Sequence, residues 1–299
     1  MTPRLEGLVA ATHTPFGPDG SLNLRAVEHQ AAHLLAHGVR VAFVGGTTGE
    51  CSSLTVDERV ALATRWVEVA RGTALDVIVH VGANSLEDAR ALGAHAQRIE
   101  ARAVSAVAPS YAKPAGVAAL VASMAHVAAA APDLPFYYYE IPSLTGVGVS
   151  PSAFLEAAAG RIPTLAGIKF ASTDFVEYQL CREACGGRFE MPYGFDEMLL
   201  AALALGATSA VGSSYNFAAP LYLRLIDAFR RGDLEAARAE QARSVRLIRV
   251  LASFGYMAAA KAVMRMVGVD VGGPRLPVLP LSHEDERRLR ADVERLGAV

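Results

Sequence analysis

The sequence predicts an α/β fold, a (β/α)₈ TIM barrel with additional C-terminal helices. Short apolar runs rich in β-branched residues alternate eight times with longer segments of helical length, within about 230 residues. The short runs are nearly continuously apolar, which is typical of parallel strands covered by helices on both faces. No linker rich in Pro, Gly or Ser separates the repeats. Eight uninterrupted units favour a closed barrel over an open sheet.

Each predicted element follows from this alternation. In chain order, the strands are "GLVAAT" (7–12), "VRVAFVGG" (39–46), "LDVIVHVG" (75–82), "AVSAVAP" (103–109), "LPFYYYEIP" (134–142), "TLAGIKF" (164–170), "RFEMPYG" (188–194) and "ATSAVGSS" (207–214). The helices that follow them span, in the same order, 23–37, 57–71, 86–99, 116–130, 150–159, 174–184, 195–205 and 218–230. The predicted helical segments are longer than most strands, so their length distinguishes them from the predicted strands.

After Arg230 the pattern becomes purely helical, with predicted helices at 234–252, 257–267 and 284–296. We therefore predict a catalytic barrel over residues 1–231. Residues 232–299 are expected to form a helical extension that packs on the barrel as part of a single structural unit.

Composition narrows the class of protein. The chain has 299 residues, 52% of them hydrophobic, and a formal net charge of −2. That charge predicts neither nucleic acid nor an anionic membrane as a partner. The N-terminus lacks a basic leader followed by a long apolar core, and three cysteines cannot form a closed disulfide set. We expect a cytoplasmic protein with reduced cysteines and no metal site.

One lysine stands out in "TLAGIKFAS". The chain has only three lysines, and Lys169 lies at the end of a predicted buried strand between Ile168 and Phe170. Burial disfavours the ammonium and lowers the pKa of a lysine, so such an amine suits Schiff-base formation with a ketone. A structural lysine that is ion-paired or reaches solvent explains the position equally well.

Two further groups are expected at the same mouth, because catalytic residues of such barrels follow the C-terminal ends of strands. Tyr139 ends "FYYYE", and alternation places it with Tyr137 on the face opposite Tyr138. A phenol at this position is able to shuttle protons, although aromatic residues in strands are usually core. "GGTTGE" lacks the lysine of a nucleotide phosphate loop, and Thr47 and Thr48 offer hydroxyl and N–H groups to a carboxylate.

Paired carboxylates occur in "YGFDE". Asp196 and Glu197 are suitable acceptors for the hydroxyl groups of a sugar. The alternative is that Asp196 caps the following helix and Glu197 lies in its first turn.

These strings together resemble a known superfamily. "GGTTGE", "YEIPSLTG", "GIKFAS", "YGFDE" and "VGSSYN" occur in the order and spacing of the N-acetylneuraminate lyase and dihydrodipicolinate synthase superfamily, and the resemblance covers essentially the whole chain. Its members are pyruvate-dependent class I aldolases on (β/α)₈ barrels and are commonly homotetramers. The resemblance implies a covalent Schiff base on Lys169 and no cofactor. It implies Tyr139 as proton donor and acceptor, and Thr47 and Thr48 as ligands of the pyruvyl carboxylate.

The resemblance also implies residues further from the lysine. Tyr111, in "APSY" at the end of the fourth strand, extends a proton relay from Tyr139 with Thr48, and in the synthase branch this tyrosine comes from a neighbouring subunit. The lyase pattern places the substrate contacts at five further positions: Ala171, Gly194, Asp196, Glu197 and Ser213.

Two positions help to distinguish the synthase branch of the superfamily from the lyase branch. Synthases usually carry an arginine where this chain has Leu144, and leucine cannot clamp a carboxylate. Lyases usually have threonine or serine where this chain has Ala171, and Ser172 should point to the other side of the strand. The leading expectation is reversible cleavage of N-acetylneuraminate to N-acetylmannosamine and pyruvate. The alternatives are an aldolase or dehydratase for another 2-keto-3-deoxy sugar acid, a dihydrodipicolinate synthase, or a non-catalytic sensor of sugar acids.

Other suggestive residues are expected to be structural. His29, His33 and His37 recur every four residues on the first helix, but they lack a fourth ligand. Glu50 is expected to brace the "GGTTGE" loop by hydrogen bonds. Lys261 is expected to be a solvated charge.

Overall fold

The computed structural model describes residues 4–297 and 299. Its seven strands form one parallel sheet in the order β6-β5-β4-β3-β2-β1-β7. The strands are β1 (Gly7–Ala11), β2 (Val41–Val44), β3 (Asp76–His80), β4 (Ala103–Val107), β5 (Phe136–Glu140), β6 (Leu165–Phe170) and β7 (Ser209–Gly212). Because consecutive strands pair side by side and β7 returns to β1, the sheet curls round towards closure.

A short extended segment, residues 190–193, closes the barrel between β6 and β7. Tyr193 bridges in parallel to Phe170 on one side and to Ala210 on the other. On the β6 side, the N–H of Ile168 donates to the carbonyl of Glu190 at 3.0 Å. The predicted barrel is thus confirmed. The predicted seventh strand is present only as these isolated bridges, because Pro192 has no N–H to continue a ladder.

Twelve helices surround the sheet in the described part of the chain. They are α1 (Ala26–Ala36), α2 (Val56–Ala70), α3 (Leu86–Arg98), α4 (Val117–Ala128), α5 (Pro142–Thr145), α6 (Pro151–Ala158), α7 (Phe175–Gly187), α8 (Leu199–Ala204), α9 (Ala219–Arg230), α10 (Leu234–Ser253), α11 (Tyr256–Met266) and α12 (His283–Leu296). Three 3₁₀ turns, Cys51–Ser53, Asp196–Met198 and Ser214–Asn216, follow the C-terminal ends of strands or the closing segment.

The core has two layers because side chains alternate along each strand. One set fills the barrel interior and includes Phe43, Tyr137 and Tyr139. The other set packs against the helices, and there Tyr138 meets Phe154 with 4.7 Å between the ring centroids. The predicted alternation of the three tyrosines is therefore correct, and it directs Tyr139 to the interior.

The last three helices pack on the barrel and on one another. Helix α10 runs against α9 and also contacts α8 and the turn Asp196–Met198, while α11 and α12 pack against α10. No single described helix is both long and apolar enough to cross a membrane; α10 and α11 meet that condition only as a pair, which bends by 113°.

Candidate active site

Lys169 points into the barrel interior at the C-terminal end of β6. Its neighbours Ile168 and Phe170 are fully buried against the helices, so strand alternation turns the lysine inward. Only 4% of Lys169 is exposed. Its Nζ lies 3.6 Å from the ring centroid of Tyr139 and 4.1 Å from that of Phe43.

This environment alters the protonation of Lys169. Burial lowers the pKa of its amine to about 7, although the negative charge of Asp196 opposes the shift. A substantial fraction of the amine is consequently neutral near pH 7, as attack on a carbonyl requires.

Tyr139 lies beside the lysine because the two residues are register partners between β5 and β6. Its hydroxyl is 3.2 Å from Oγ1 of Thr47. Burial raises the pKa of Tyr139 to about 12, and the hydrogen bond to Thr47 opposes this. Tyr139 is therefore a neutral phenol that is able to donate a proton, and Thr47 is its hydrogen-bonding partner within the chain.

The loop that carries Thr47 and Thr48 follows β2. It turns at Gly45, whose φ of +67° suits glycine, and the carbonyl of Gly45 lies 2.8 Å from Nδ1 of the buried His80. At Gly46 an added Cβ would lie 2.6 Å from the ring of Phe43, so glycine lets the loop pass close to the interior. Both threonines line the cavity above Lys169.

Asp196 and Glu197 lie in the 3₁₀ turn after the closing segment. The Asp196 carboxylate accepts hydrogen bonds from the N–H of Ser214, at 3.0 Å, and from the hydroxyl of the same residue. Asp196 therefore does not cap the helix that follows it; it joins the turn to the end of β7. Burial raises the pKa of Asp196 to about 6 and also raises the pKa of the half-buried Glu197.

These groups surround a cavity of about 250 Å³ at the C-terminal mouth of the barrel. Eight of the predicted site residues line it: Thr47, Thr48, Tyr139, Lys169, Gly194, Asp196, Glu197 and Ser213. The remaining lining residues are Ala11, Ile141, Phe195, Val211, Gly212, Ile248, Tyr256 and Met257. The lining of the cavity thus combines an amine, hydroxyl groups and carboxylates.

Two predicted site residues lie outside this lining. Tyr111 is 93% exposed, so the single chain does not bring its hydroxyl to Tyr139. Ala171 is buried beside Gly194, where an added Cβ on the glycine would lie 2.7 Å from the Cβ of Ala171. The hydroxyl of Ser172 accepts from the N–H of Asp174 at 3.2 Å rather than replacing the absent threonine.

Sequence reasoning missed the contribution of the C-terminal helices. Tyr256 and Met257 at the start of α11, and Ile248 in α10, line the cavity. The Tyr256 hydroxyl lies 2.7 Å from Oγ of Ser213. Helical periodicity carries no signal for such residues, because it does not show which helix crosses the mouth of the barrel.

Lys261 also differs from expectation. It is 1% exposed, and its ammonium is ion-paired with Glu50 at 2.6 Å instead of being solvated. The predicted bracing role of Glu50 agrees with its N–H···O bond from Arg275 at 2.9 Å. Within residues 4–297 and 299 the His, Cys, Asp and Glu side chains form no group able to hold a metal ion.

Comparison with known proteins agrees with this arrangement. The chain matches the dihydrodipicolinate synthetase family over residues 4–296. It is 40% identical to the N-acetylneuraminate lyase of Gallus gallus, covering 98% of this chain and 97% of the relative.

Solved structures extend the comparison to the fold. The N-acetylneuraminate lyase of Proteus mirabilis superposes with a TM-score of 0.97 at 42% identity, covering 99% of this chain and 100% of the other. The N-acetylneuraminate lyase (sialic acid aldolase) of Aliivibrio salmonicida gives 0.97 at 43% identity, covering 99% and 98%. A match over nearly the whole chain, on a barrel with the expected lysine, places this protein in the dihydrodipicolinate synthetase family.

Proposed function

We propose that this protein is a Schiff-base aldolase that reversibly cleaves N-acetylneuraminate to N-acetylmannosamine and pyruvate. The observation that carries the proposal is the buried amine of Lys169 beside Tyr139, in a cavity that Asp196 and Glu197 also line. Relatives about 40% identical over nearly the whole chain bear the name N-acetylneuraminate lyase, which supports the same assignment.

The reaction begins at the keto end of the open-chain sugar acid. The neutral amine of Lys169 attacks the C2 carbonyl, Tyr139 supplies a proton to the resulting alkoxide, and water leaves to form the protonated imine. Thr47 and Thr48 hold the adjacent carboxylate through hydroxyl and N–H groups.

Carbon–carbon cleavage then uses the imine as an electron sink. The Tyr139 phenolate left by imine formation accepts the proton of the C4 hydroxyl, and the C3–C4 bond breaks with its electron pair moving into the imine to give an enamine. The aldehyde product leaves, C3 of the enamine takes up a proton, and hydrolysis releases pyruvate and restores Lys169. All electrons needed are supplied by the substrate, so we propose that the reaction requires neither a metal nor an organic cofactor.

The sugar chain is assigned to the acidic side of the cavity. Hydroxyl groups donate to the Glu197 carboxylate and exchange hydrogen bonds with Ser213, and Gly194 leaves room for the chain. Asp196 already accepts two hydrogen bonds from Ser214. We therefore assign it an indirect role, in which it holds the turn that carries Glu197 against the end of β7 and contributes its negative charge to the cavity.

The exposed Tyr111 supports a further part of the proposal. Tyr111 lies in the loop after β4 and is 93% exposed, so its side chain is available to a neighbouring subunit. We therefore propose that Tyr111 completes the relay through Thr48 of a neighbouring copy in a cytoplasmic homotetramer. Residues 232–299 contribute Tyr256 and Met257 to the cavity, and we propose that they form one structural unit with the barrel.

Ala171 favours one alternative substrate class. The hydroxyl usual in lyases near the scissile bond is absent, and a hydrogen bond of this kind contributes about 0.5–1.5 kcal/mol. The alternative is cleavage or dehydration of another 2-keto-3-deoxy sugar acid by the same Schiff base.

The covalent step is tested by reducing the protein with borohydride in the presence of pyruvate, followed by peptide mass analysis. The chain has three lysines, of which Lys113 is exposed and Lys261 is buried in an ion pair. We expect the reduced adduct on Lys169 and on neither of the others. An unmodified Lys169 contradicts the proposal and leaves a non-catalytic sensor of sugar acids.

The substrate is tested by pyruvate release from N-acetylneuraminate and from 2-keto-3-deoxygluconate under the same conditions. The proposed function predicts a higher kcat/KM for N-acetylneuraminate, and the opposite order selects the alternative. A Lys169→Arg variant serves as the control, because it keeps the positive charge and removes imine chemistry.

A further inference from the structure

The loop "GGTTGE" (residues 45–50), which we propose binds the pyruvyl carboxylate, ends at a residue with a strained backbone. Glu50 adopts φ 54° and ψ 39°, the left-handed conformation that residues with a Cβ disfavour. Thr47 and Thr48 lie just before it, and the N–H of Glu50 donates to the carbonyl of Thr47 at 3.0 Å. Such a conformation persists only where surrounding contacts enforce it.

The contacts that enforce it come from the C-terminal extension. Lys261 in α11 places its Nζ 2.6 Å from Oε1 of Glu50, and the N–H of Arg275 donates to Oε2 at 2.9 Å. The side chains of Glu50 and Lys261 are 4% and 1% exposed. Both oxygens of the Glu50 carboxylate are therefore bound by residues beyond the eight-unit barrel. Lys261 of α11 contacts one oxygen, and the backbone of Arg275, in the segment after α11, contacts the other.

The ammonium of Lys261 combines this ion pair with two hydrogen bonds. Besides Glu50, it donates to the carbonyl of Thr14 at 2.9 Å and to that of Gly273 at 3.0 Å. The hydroxyl of Thr14 in turn donates to the carbonyl of Gly49 at 2.6 Å, so it connects the residue before Glu50 to the segment that follows β1. Lys261 thus connects the loop to the barrel and to the extension at one buried point.

Burial and the charge of Arg275 lower the pKa of Lys261, and the carboxylate of Glu50 opposes this shift. His13 is fully buried beside this ion pair, and burial together with the charge of Lys261 lowers the pKa of His13 to about 3, so the imidazole is neutral. The guanidinium of Arg275 is directed elsewhere, to Glu58 at 2.5 Å.

Stability alone does not account for this arrangement. A buried ion pair usually contributes no more to folding than a well-packed apolar pair, and a left-handed glutamate adds strain. Both features occur at the loop expected to bind the pyruvyl carboxylate. The location indicates that the arrangement serves the geometry of the loop.

We propose that Lys261 is a positioning residue of the active site: through Glu50 it fixes the Thr47–Thr48 segment in the conformation that binds the pyruvyl carboxylate. The C-terminal extension is then part of the pyruvate subsite although Lys261 itself touches no substrate. This inference rests on the proposed aldolase function.

The test compares Lys261→Met with Arg265→Met on the same helix. Arg265 forms a surface ion pair with Glu286 at 2.8 Å and does not contact the loop, so its loss should leave the kinetics unchanged. Active sites are counted by borohydride trapping of pyruvate, and kinetics are measured in the condensation direction well below the unfolding temperature. Lys261→Met should raise the KM for pyruvate about tenfold or more per active site and change the KM for N-acetylmannosamine less than about threefold.

A second variant keeps the test decisive if Lys261→Met does not fold. Glu50→Gln removes the charge and leaves a single acceptor oxygen, which serves either Lys261 or the N–H of Arg275 but not both, so it should also raise the pyruvate KM with the same selectivity. Unchanged pyruvate KM in the folded variants, with only a lower unfolding temperature, overturns the positioning role. A wild-type protein without an adduct on Lys169 refutes the aldolase function, and the positioning role with it.

Discussion

The amine of Lys169 stands over the face of Tyr139, with Nζ 3.6 Å from the ring centroid, and the backbones of the two residues pair in register across β5 and β6. The relative position of nucleophile and phenol is therefore set by sheet hydrogen bonds rather than by flexible side chains alone. An ammonium would gain attraction from the rings of Tyr139 and Phe43. The pKa of Lys169 nevertheless falls to about 7, so the loss of hydration is the larger effect.

The first prediction concerns the pH dependence of catalysis. Because only the neutral amine of Lys169 attacks the ketone, and its pKa is about 7, kcat/KM for N-acetylneuraminate should fall as the pH drops below about 7. Well below that value, the decrease should approach tenfold per pH unit. Steady-state rates across the acidic range measure it. An acidic limb governed by a pKa near that of an ordinary lysine, about 10.4, contradicts the inference.

The second prediction concerns stability. The pKa of Lys169 is lowered in the folded protein, so the unfolded chain binds more protons between pH ~7 and ~10.4, and the free energy of unfolding rises with pH over this window. Lys169→Met removes this contribution. It should therefore stabilise the fold at pH 7 and do so less at pH ~10.

The control for the stability measurement is Lys169→Arg, which retains a buried positive charge and should be less stable than the methionine variant at both pH values. Denaturant unfolding at the two pH values gives the comparison. A methionine variant with a constant effect across the window indicates that the lysine is charged in the folded protein.

The third prediction separates the adjacent tyrosines. Tyr139→Phe removes the hydroxyl that lies 3.2 Å from Thr47 and should lower kcat about 10²-fold or more, the usual contribution of a general acid. Tyr138→Phe is the matched control, because this ring packs against Phe154 outside the barrel interior. Its kcat should stay within about twofold of the wild-type value. Equal losses in both variants indicate a packing effect instead of proton transfer.

The fourth prediction concerns sugar recognition. Glu197→Gln keeps the shape of the side chain and removes its charge, so hydrogen bonds from sugar hydroxyl groups to it become weaker. The KM for N-acetylneuraminate should rise about tenfold, since hydrogen bonds to charged groups contribute about 1.5–3 kcal/mol. Trapping of pyruvate on Lys169 should be unaffected. Loss of both N-acetylneuraminate cleavage and pyruvate trapping would place Glu197 at the reacting end of the substrate.

The fold was predictable because its signal repeats. Eight apolar runs, each followed by a longer segment of helical length, indicate a barrel even when one unit is irregular. Residues 188–194 were predicted as a strand from the alternation of elements, and residues 190–193 do bridge β6 and β7, but Pro192 prevents a continuous ladder. Position at strand ends likewise located Lys169, Tyr139 and the threonine loop, because a parallel barrel directs all strand ends to one mouth.

What the sequence did not reveal depends on contacts between distant segments. Lys261 lies on a helix more than 200 residues from Glu50, and neither residue carries a local sign of the other. Tyr256 enters the cavity only because α11 crosses its mouth. Tyr111 was predicted at the end of the fourth strand, but β4 ends at Val107 and the ring of Tyr111 in the following loop is exposed to solvent.

The last prediction tests the contact between the acidic residue Asp196 and a glycine of the "VGSSYN" string. Gly212 ends β7, and a Cβ added there would lie 1.7 Å from Oδ1 of Asp196. Because the Asp196 carboxylate is buried and held by Ser214, it cannot move aside without losing hydrogen bonds. Gly212→Ala should therefore destabilise the protein by about 1–3 kcal/mol, the usual range for overpacking. It should also raise the KM for N-acetylneuraminate.

Gly160→Ala is the control, since a Cβ at this exposed glycine meets nothing within 4 Å, and its stability and KM should match wild type. Wild-type behaviour of Gly212→Ala would mean that the Asp196 side chain lies elsewhere in solution.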